Sequence, residues 1–244
     1  MMLRGIVTTI VLTAALLPAA SAPATAATKP PPPKVGACYS YTFAQADAAS
    51  SPTRPVSCAG RHTAVTYFVG TVTGTPARSK SPTAAAVVAQ EARACQLRWV
   101  SLMGAKVIMT RASVSFFTPT PAQWKAGARW FRCDGVLRTA STYVSIPKNF
   151  LAFGRTTAGV TAYLRCVNAA QVIVACSARH TLKVKTYVVL GSATARYPGT
   201  TATLNRALTL CTKALPTLTV EFVNYPLADN WAAGGRTAPC YVAG

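Results

Sequence analysis

The sequence predicts an α+β protein made of two tandem homologous modules, each a small antiparallel sheet with one main helix and its own disulfides. Three observations support this prediction. A motif that contains cysteine and histidine occurs twice, at 56–63 and at 174–181. A motif of tryptophan, arginine and cysteine also occurs twice, at 124–133 and at 231–240. The eight cysteines divide into two groups of four, one in each predicted module.

The two motifs follow one another in the same order in both halves, which indicates an internal duplication. The first motif has the form V-x-C-x-x-R-H-T and begins at Val56 and at Val174. The second has the form W-x-A-G-x-R-x-x-x-C and begins at Trp124 and at Trp231. Matches at every fixed position of both motifs are very improbable by chance, so we expect the halves to share one fold.

The N-terminal residues predict a signal peptide and a spacer. Residues 1–26 start with the basic Arg4, continue as an apolar run that is short for a membrane span of about 20 residues, and end in small residues typical of a cleavage site. Residues 27–35 are proline-rich and predict a stiff linker. An uncleaved N-terminal anchor is the alternative. We therefore expect an exported protein, secreted or in the cell envelope, with no membrane span after removal of the signal.

Each module is predicted to contain the elements β-β-β-α-β-β. In the first module, 36–146, we expect strands at 36–43, 54–58 and 63–72, a helix at 83–104, and strands at 113–117 and through Cys133. In the second module, 147–244, we expect strands at 161–167, 171–176 and 182–190, a helix at 199–215, and strands at 218–223 and through Cys240. The tryptophan motif is expected on a loop or short helix before each last strand. The boundary is placed in a segment with the breakers Pro147, Gly154 and Gly159.

Eight cysteines in an exported chain predict disulfides before metal ligands. Four cysteines allow three pairings within a module. Cys166 and Cys176 lie at the two ends of a short hairpin and can face each other across its strands, which favours Cys166–Cys176 and, by analogy, Cys38–Cys58. The remaining pairs are then Cys95–Cys133 and Cys211–Cys240.

The same residues argue against a metal or a cofactor. Zinc sites usually contain C-x2-C and H-x3-H pairs, whereas each module has one histidine and no C-x2-C. A cysteine nucleophile is excluded because a disulfide-bonded sulfur is not a thiolate. We therefore expect no metal, no cofactor and no catalytic cysteine.

The chain carries 25 Lys and Arg against 5 Asp and Glu, a net charge of +20. This excess favours anionic partners such as acidic wall polymers, anionic lipid headgroups or nucleic acid, although a generally cationic surface without a dedicated site is the alternative. The shortage of acids argues against glycoside hydrolysis, which needs paired carboxylates, and against magnesium or calcium sites. We therefore expect no enzyme of these classes.

The two histidines, His62 and His180, each follow an arginine, Arg61 and Arg179. A histidine in such a turn is either a structural anchor whose ring binds the backbone or a ligand contact and proton carrier. A secreted basic ribonuclease would use one histidine as base and the other as acid. That mechanism requires His62 and His180 to meet across the module interface.

The tryptophan motif has two interpretations. Trp124 and Trp231 are either buried in the core against the disulfides or exposed as platforms for a sugar or a base. In the second case Arg129 and Arg236 would bind an anion beside each ring. The core interpretation, in which both tryptophan rings are buried, is favoured.

The cysteine, histidine and tryptophan spacing resembles that of the septum-formation domain family of actinobacterial secreted and membrane-anchored proteins. The first module carries the resemblance in Gly36-Ala-Cys38-Tyr39, Val56-Ser-Cys58 with His62, Cys95, and Trp124 with Cys133. The second module carries it in Cys166, Cys176 with His180, Cys211, and Trp231 with Cys240. The resemblance implies two tandem copies of the family domain and a link to cell division, and it implies neither an enzymatic activity nor a ligand.

The sequence therefore predicts an exported, non-catalytic cell-envelope protein of septum-formation type. Its expected partner is an anionic wall polymer or an envelope protein. The alternative is a secreted basic ribonuclease or nucleic-acid-binding protein that uses His62 and His180.

Overall fold

A computed structural model describes residues 30–244, which form two five-stranded antiparallel sheets with a few helices. The predicted α+β class is confirmed. The predicted signal peptide at 1–26 and residues 27–29 of the linker lie outside the described residues. Among residues 30–244, no helix combines the length and the hydrophobicity that a membrane span requires.

The first sheet has the strand order β1-β2-β4-β3, and β5 pairs with β4. Its strands are β1 (Cys38–Tyr39), β2 (Ala64–Thr71), β3 (Ala112–Phe117), β4 (Trp130–Thr139) and β5 (Thr142–Val144). The helices of this part are α1 (Phe43–Ala46), α2 (Ala85–Met103) and α3 (Pro121–Lys125), with 3₁₀ turns at Pro76–Arg78 and Ala105–Met109.

The second sheet has the strand order β7-β6-β8-β10-β9. A 3₁₀ turn (Phe150–Arg155) and α4 (Thr157–Ala162) precede it. Its strands are β6 (Arg165–Val167), β7 (Ile173–Ala175), β8 (Leu182–Val189), β9 (Phe222–Val223) and β10 (Thr237–Ala243), and its helices are α5 (Thr200–Ala214) and α6 (Ala228–Ala232).

Each main helix packs on its sheet through residues spaced four apart, because this spacing keeps side chains on one face of an α-helix. The buried face of α2 consists of Val87, Glu91, Cys95, Trp99 and Met103. The buried face of α5 consists of Thr203, Ala207 and Cys211. Both faces therefore present a cysteine to the sheet.

Four disulfides connect these elements: Cys38–Cys58, Cys95–Cys133, Cys166–Cys176 and Cys211–Cys240. Their Cα atoms lie 5.1–5.6 Å apart, within the usual range for a disulfide. These are the pairs that the cysteine spacing favours. In each sheet one bond joins the main helix to a long strand, β4 or β10, and the other closes the region before the histidine turn.

The two longest strand pairs contain a bulge at the same place. Cys133 on β4 lies opposite Phe68, and Cys240 on β10 lies opposite Thr186, with the register shift one residue further along in both ladders. Phe68 and Thr186 each stand six residues after a histidine. In both ladders the residue opposite the disulfide cysteine therefore lies the same number of residues after the histidine. The Thr-Tyr pairs at 66–67 and 186–187, which look equivalent in the sequence, are not equivalent in the two ladders.

The predicted strand at 36–43 is wrong in its second half. β1 ends at Tyr39, and Phe43–Ala46 is a short helix. Thr42 accepts a hydrogen bond from the backbone N–H of Gln45, and the Gln45 side chain accepts one from the backbone N–H of Thr42. This capping box starts a helix in spite of the β-prone residues that precede it.

Three other predicted strands are shorter than expected. Residues 54–58 form only one bridge, between Cys38 and Val56. Residues 157–162 are helical because Thr156 caps the backbone N–H of Gly159, so the strand predicted at 161–167 begins at Arg165. The strand predicted at 218–223 is limited to β9, and the structure adds β5, which the sequence did not predict.

The segment after the predicted boundary packs on the first sheet. Phe150 and Phe153 are buried in one hydrophobic cluster with Trp99 and Met103 of α2. A Cβ at Gly154 would collide with the Met103 backbone, so glycine permits this close approach. The boundary predicted at 146/147 therefore falls inside a continuous core, and the breakers mark turns within that core.

Candidate binding cleft between the two sheets

The Trp124–Arg129 pair is a structural clamp. The indole N–H of Trp124 donates to the carbonyl oxygen of Ser79 at 2.8 Å. The Arg129 guanidinium lies 4.0 Å from the Trp124 ring centroid and donates to the carbonyl oxygens of Ala77 and Trp124 at 2.7 and 2.8 Å. Trp124 is only 2 % exposed. The ring and the cation are thus engaged in holding the loop before α2.

The Trp231–Arg236 pair repeats this arrangement. The indole N–H of Trp231 donates to the carbonyl oxygen of Ala195 at 2.8 Å. The Arg236 guanidinium lies 4.2 Å from the Trp231 ring centroid and donates to the carbonyl oxygens of Trp231 and Ser192. Trp231 is also buried. The geometry favours the core interpretation of both tryptophans over an exposed platform.

The two histidines hold equivalent turns. Nδ1 of His62 lies 2.8 Å from the carbonyl oxygen of Gly60, and Nδ1 of His180 lies 2.7 Å from that of Ala178. His62 is 2 % exposed, whereas His180 is half-buried and packs closely against Gly244. The adjacent Arg61 and Arg179 are exposed to solvent.

The nuclease alternative gains no support from these positions. His180 borders a shallow cavity with Arg179 and Asn168, and His62 does not contribute to that cavity. Each histidine stands beside its own sheet and engages its own turn through Nδ1. Within residues 30–244, no three histidine, cysteine or carboxylate side chains cluster as a metal site would require.

The two sheets are joined edge to edge through backbone and side-chain bonds. The N–H of Arg111 donates to the carbonyl oxygen of Tyr163 at 2.8 Å, and the N–H of Ala140 donates to that of Ile173 at 2.9 Å. Arg165 of β6 donates through Nε and Nη2 to the carbonyl oxygen of Thr110, at 3.1 and 2.9 Å. These bonds fix the orientation of the sheets and create a cleft beside Arg165.

The cleft consists of two adjoining cavities of about 340 and 150 Å³ that share Gln96, Ile108, Arg165 and Thr237. The larger cavity is lined mostly by the second sheet and its loops, whereas the smaller one is lined mostly by α2, the 3₁₀ turn after it and β3. The polar side chains of the larger cavity are Gln96, Arg165, Asn224, Tyr225, Asn230 and Thr237. Amide, hydroxyl and guanidinium groups of this kind donate hydrogen bonds to oxygen-rich ligands.

The electrostatic environment of the cleft is positive. Among residues 30–244, no carboxylate side chain lines either cavity. Arg165 is the cationic side chain that lines both cavities. The Tyr241 hydroxyl is buried, which raises its pKa, and Arg165 opposes that rise. Among the described residues, an anion in the cleft would therefore meet the Arg165 guanidinium and no competing acid.

The sequence did not single out the cleft residues. Gln96 and Asn230 belong to no repeated motif, and Arg165 is one of 25 basic residues. Only the docking of the sheets brings them together. The clearest signal available in the sequence was the position of Arg165 directly before Cys166 in the second half, where the first half has Ala37 before Cys38.

Comparison with known proteins supplies the family. The sequence model of a family described as septum formation matches residues 35–240, a range that includes both sheets and the cleft. No curated protein and no solved structure matches the chain. The matched range includes all eight cysteines, both histidine turns and both tryptophan–arginine clamps. The chain belongs to the septum-formation family.

Proposed function

We propose that the protein is an exported, non-catalytic component of the cell envelope that binds an anionic wall polymer in the cleft between the two sheets. The observation that carries this proposal is the lining of the cleft, which combines Arg165 with amide and hydroxyl side chains and, in the described part of the chain, contains no carboxylate. Membership of the septum-formation family supports a role in division, where new wall is assembled.

The net charge supports an anionic partner of extended shape. Charges spread over the surface attract a polyanion from several sides, and the attraction weakens with salt. The cleft adds directional donors to this general attraction. Phosphate or carboxylate oxygens accept hydrogen bonds from guanidinium groups with particular strength. A polymer of repeating polyol phosphates or acidic sugars satisfies both requirements, and we prefer it to an envelope protein as the partner.

Export and the lack of catalysis are part of the proposal. Four disulfides are consistent with an oxidising compartment outside the cytoplasm. The described residues that line the cleft include no histidine and no acid, the usual groups for proton transfer. The matching clamps, histidine turns and bulges of the two sheets support our proposal that the chain arose as two tandem copies of one unit.

The test is a binding titration with purified poly(glycerol phosphate) at several salt concentrations, with an RNA homopolymer as the second probe. We expect Arg165→Gln and Asn230→Ala to weaken polymer binding by up to about tenfold each, the loss of one hydrogen bond to the ligand. The matched controls are Arg206→Gln and Asn205→Ala, whose side chains are exposed on α5.

The Asn230 side chain is exposed, so Asn230→Ala tests the cleft even if Arg165→Gln disturbs the bond to Thr110. Equal losses in the cleft variants and in the α5 controls would show that charge alone drives binding. If RNA bound more tightly than the polymer, nucleic acid would become the proposed partner. If the protein bound an envelope protein and neither polyanion, that protein would become the proposed partner.

A further inference from the structure

A separate cavity of about 390 Å³ lies on the first sheet, between α1, α2 and strands β3 to β5. It shares no lining residue with the cleft apart from Ser113 and Val114. The side chains that give it chemical character are Phe43, Asp47, Glu91, Thr118, Arg138 and Tyr143. Neither the family nor the repeated motifs account for this combination.

Glu91 is an unpartnered acid on the wall of this cavity. Glu91 lies on α2 and is fully buried, and within the described residues neither of its carboxyl oxygens makes a hydrogen bond of normal geometry. Burial raises the pKa of Glu91 to about 8, and the neighbouring Thr118 hydroxyl opposes the rise only in part. A buried polar group without a partner costs free energy, so its presence requires an explanation.

The fold does not explain it. Glu91 stands four residues before Cys95 on α2, and the residue four before Cys211 on α5 is Ala207. Both positions are fully buried on the face that packs against a sheet. A small apolar side chain therefore satisfies this position in the second sheet, and the carboxyl of the first sheet serves another purpose.

The acids around the cavity favour a cationic ligand once Glu91 is ionised. The chain has five acids among 244 residues, and two of them, Asp47 and Glu91, line this one cavity. Arg138 is the opposing charge. Its guanidinium donates to the carbonyl oxygen of Ala140 at 3.2 Å and lies 5.2 Å from the Phe43 ring centroid. The remaining titratable group, Tyr143, has a pKa raised by burial and is neutral near pH 7.

The walls suit the organic part of such a ligand. The rings of Phe43 and Tyr143 pack edge to face with centroids 5.3 Å apart, and both border the cavity. Aromatic faces attract ammonium groups and cover their alkyl chains. The Tyr143 hydroxyl is occupied by Ser115 at 2.8 Å, whereas the Glu91 carboxyl oxygens, the Thr118 hydroxyl and Arg138 Nε have no hydrogen-bond partner within the described residues.

We propose that this cavity binds a small organic ammonium compound, with the ammonium on the Glu91 carboxylate and the apolar part against Phe43 and Tyr143. This site is independent of the polymer cleft. A buried carboxylate that gains a cationic partner recovers the interaction that it lacks in the unliganded protein.

Binding is coupled to proton release because the ammonium binds the ionised form of Glu91. With a pKa of about 8, the ionised fraction increases about tenfold between about pH 6 and about pH 7 and levels off above about pH 9. The affinity for the ammonium is therefore expected to rise over the same range. Close to one proton should be released per ligand near pH 6 and almost none above pH 9.

Isothermal titration calorimetry with n-butylamine tests the site, in two buffers of different ionisation enthalpy so that proton release is measured directly. Sodium butanoate serves as the oppositely charged probe. Glu91→Gln keeps the size of the side chain and removes its charge, and we expect it to weaken butylamine binding at least about tenfold and to abolish proton release. Glu221→Gln, an exposed acid outside the cavity, is the matched control.

Saturable binding that depends on Glu91, rises with pH and releases a proton supports the proposal. The absence of saturable butylamine binding in the folded wild-type protein overturns it. Equal binding by Glu91→Gln also overturns it, and so does tighter binding of butanoate, which would assign the cavity to an anion held by Arg138.

Discussion

The guanidinium of Arg132 and the carboxylate of Asp134 lie 3.0 Å apart on β4 in a site closed to solvent. Tyr41 and Thr66 donate hydrogen bonds to the same carboxylate at 3.1 and 2.7 Å. Burial raises the pKa of Asp134, and Arg132 is the principal opposing influence. In a chain with five acids, one acid is thus enclosed with a cation of its own on the central strand of the first sheet.

Removal of one partner of this pair is expected to destabilise the fold strongly. Asp134→Ala leaves the Arg132 guanidinium buried without its counter-charge and should lower the free energy of unfolding by about 3–5 kcal/mol in urea titrations. The double variant Arg132→Met, Asp134→Leu removes both charges and should recover much of that loss. A single variant as stable as the wild type would contradict the importance of the pair.

Glu91 is expected to make stability depend on pH. Its pKa in the folded protein is about 8, above the ordinary value of 4.5, so the folded state binds more protons than the unfolded state between these values. The contribution of this proton binding to the free energy of unfolding is complete below about pH 4.5. It is lost as the pH rises towards 8, at a slope of up to about 1.4 kcal/mol per pH unit. Urea titrations of the wild type and Glu91→Gln across this range should show a difference that grows with pH in favour of the variant. A constant difference would mean that Glu91 ionises normally.

The tryptophan clamps are expected to contribute stability and not polymer binding. Trp124→Phe removes the N–H that satisfies the carbonyl oxygen of Ser79, which should cost about 1–3 kcal/mol in addition to the smaller ring. Trp130→Phe is the control, because the indole N–H of Trp130 has no hydrogen-bond partner within the described residues. Thermal unfolding and the polymer titration separate the two roles. Lost polymer binding in a stable Trp124→Phe protein would restore the platform interpretation.

The disulfides are expected to differ in their contribution to stability. Cys95–Cys133 closes a longer loop than Cys166–Cys176, 38 against 10 residues. Replacing the first pair by alanine should therefore cost about 1 kcal/mol more than replacing the second, if restriction of the unfolded chain dominates. Peptide mapping without reduction should recover the four pairs. Free thiols, or bonds between cysteines of different sheets, would contradict the assignment.

Much of the fold is predictable where local and periodic signals agree. The helix expected at 83–104 is present as Ala85–Met103, because high helix propensity coincides with a buried face of residues at four-residue intervals, of which only Glu91 is charged. Predictions fail where a local contact overrides propensity. The capping box of Thr42 and Gln45 converts the end of a predicted strand into a helix, and the cap at Thr156 delays β6 to Arg165.

The α+β class, the repeated motifs and the cysteine spacing are evident from the amino-acid sequence, because they depend on residue type and on separation along the chain. The tertiary structure decided what the candidate residues do. It enclosed both tryptophan–arginine pairs in the core and assigned the histidines to turns. It also brought Gln96, Arg165 and Asn230 together in one cleft. Glu91 shows the physical reason, since an acid on a helix is exposed or buried according to the surface that packs against it, and sequence spacing does not specify that surface.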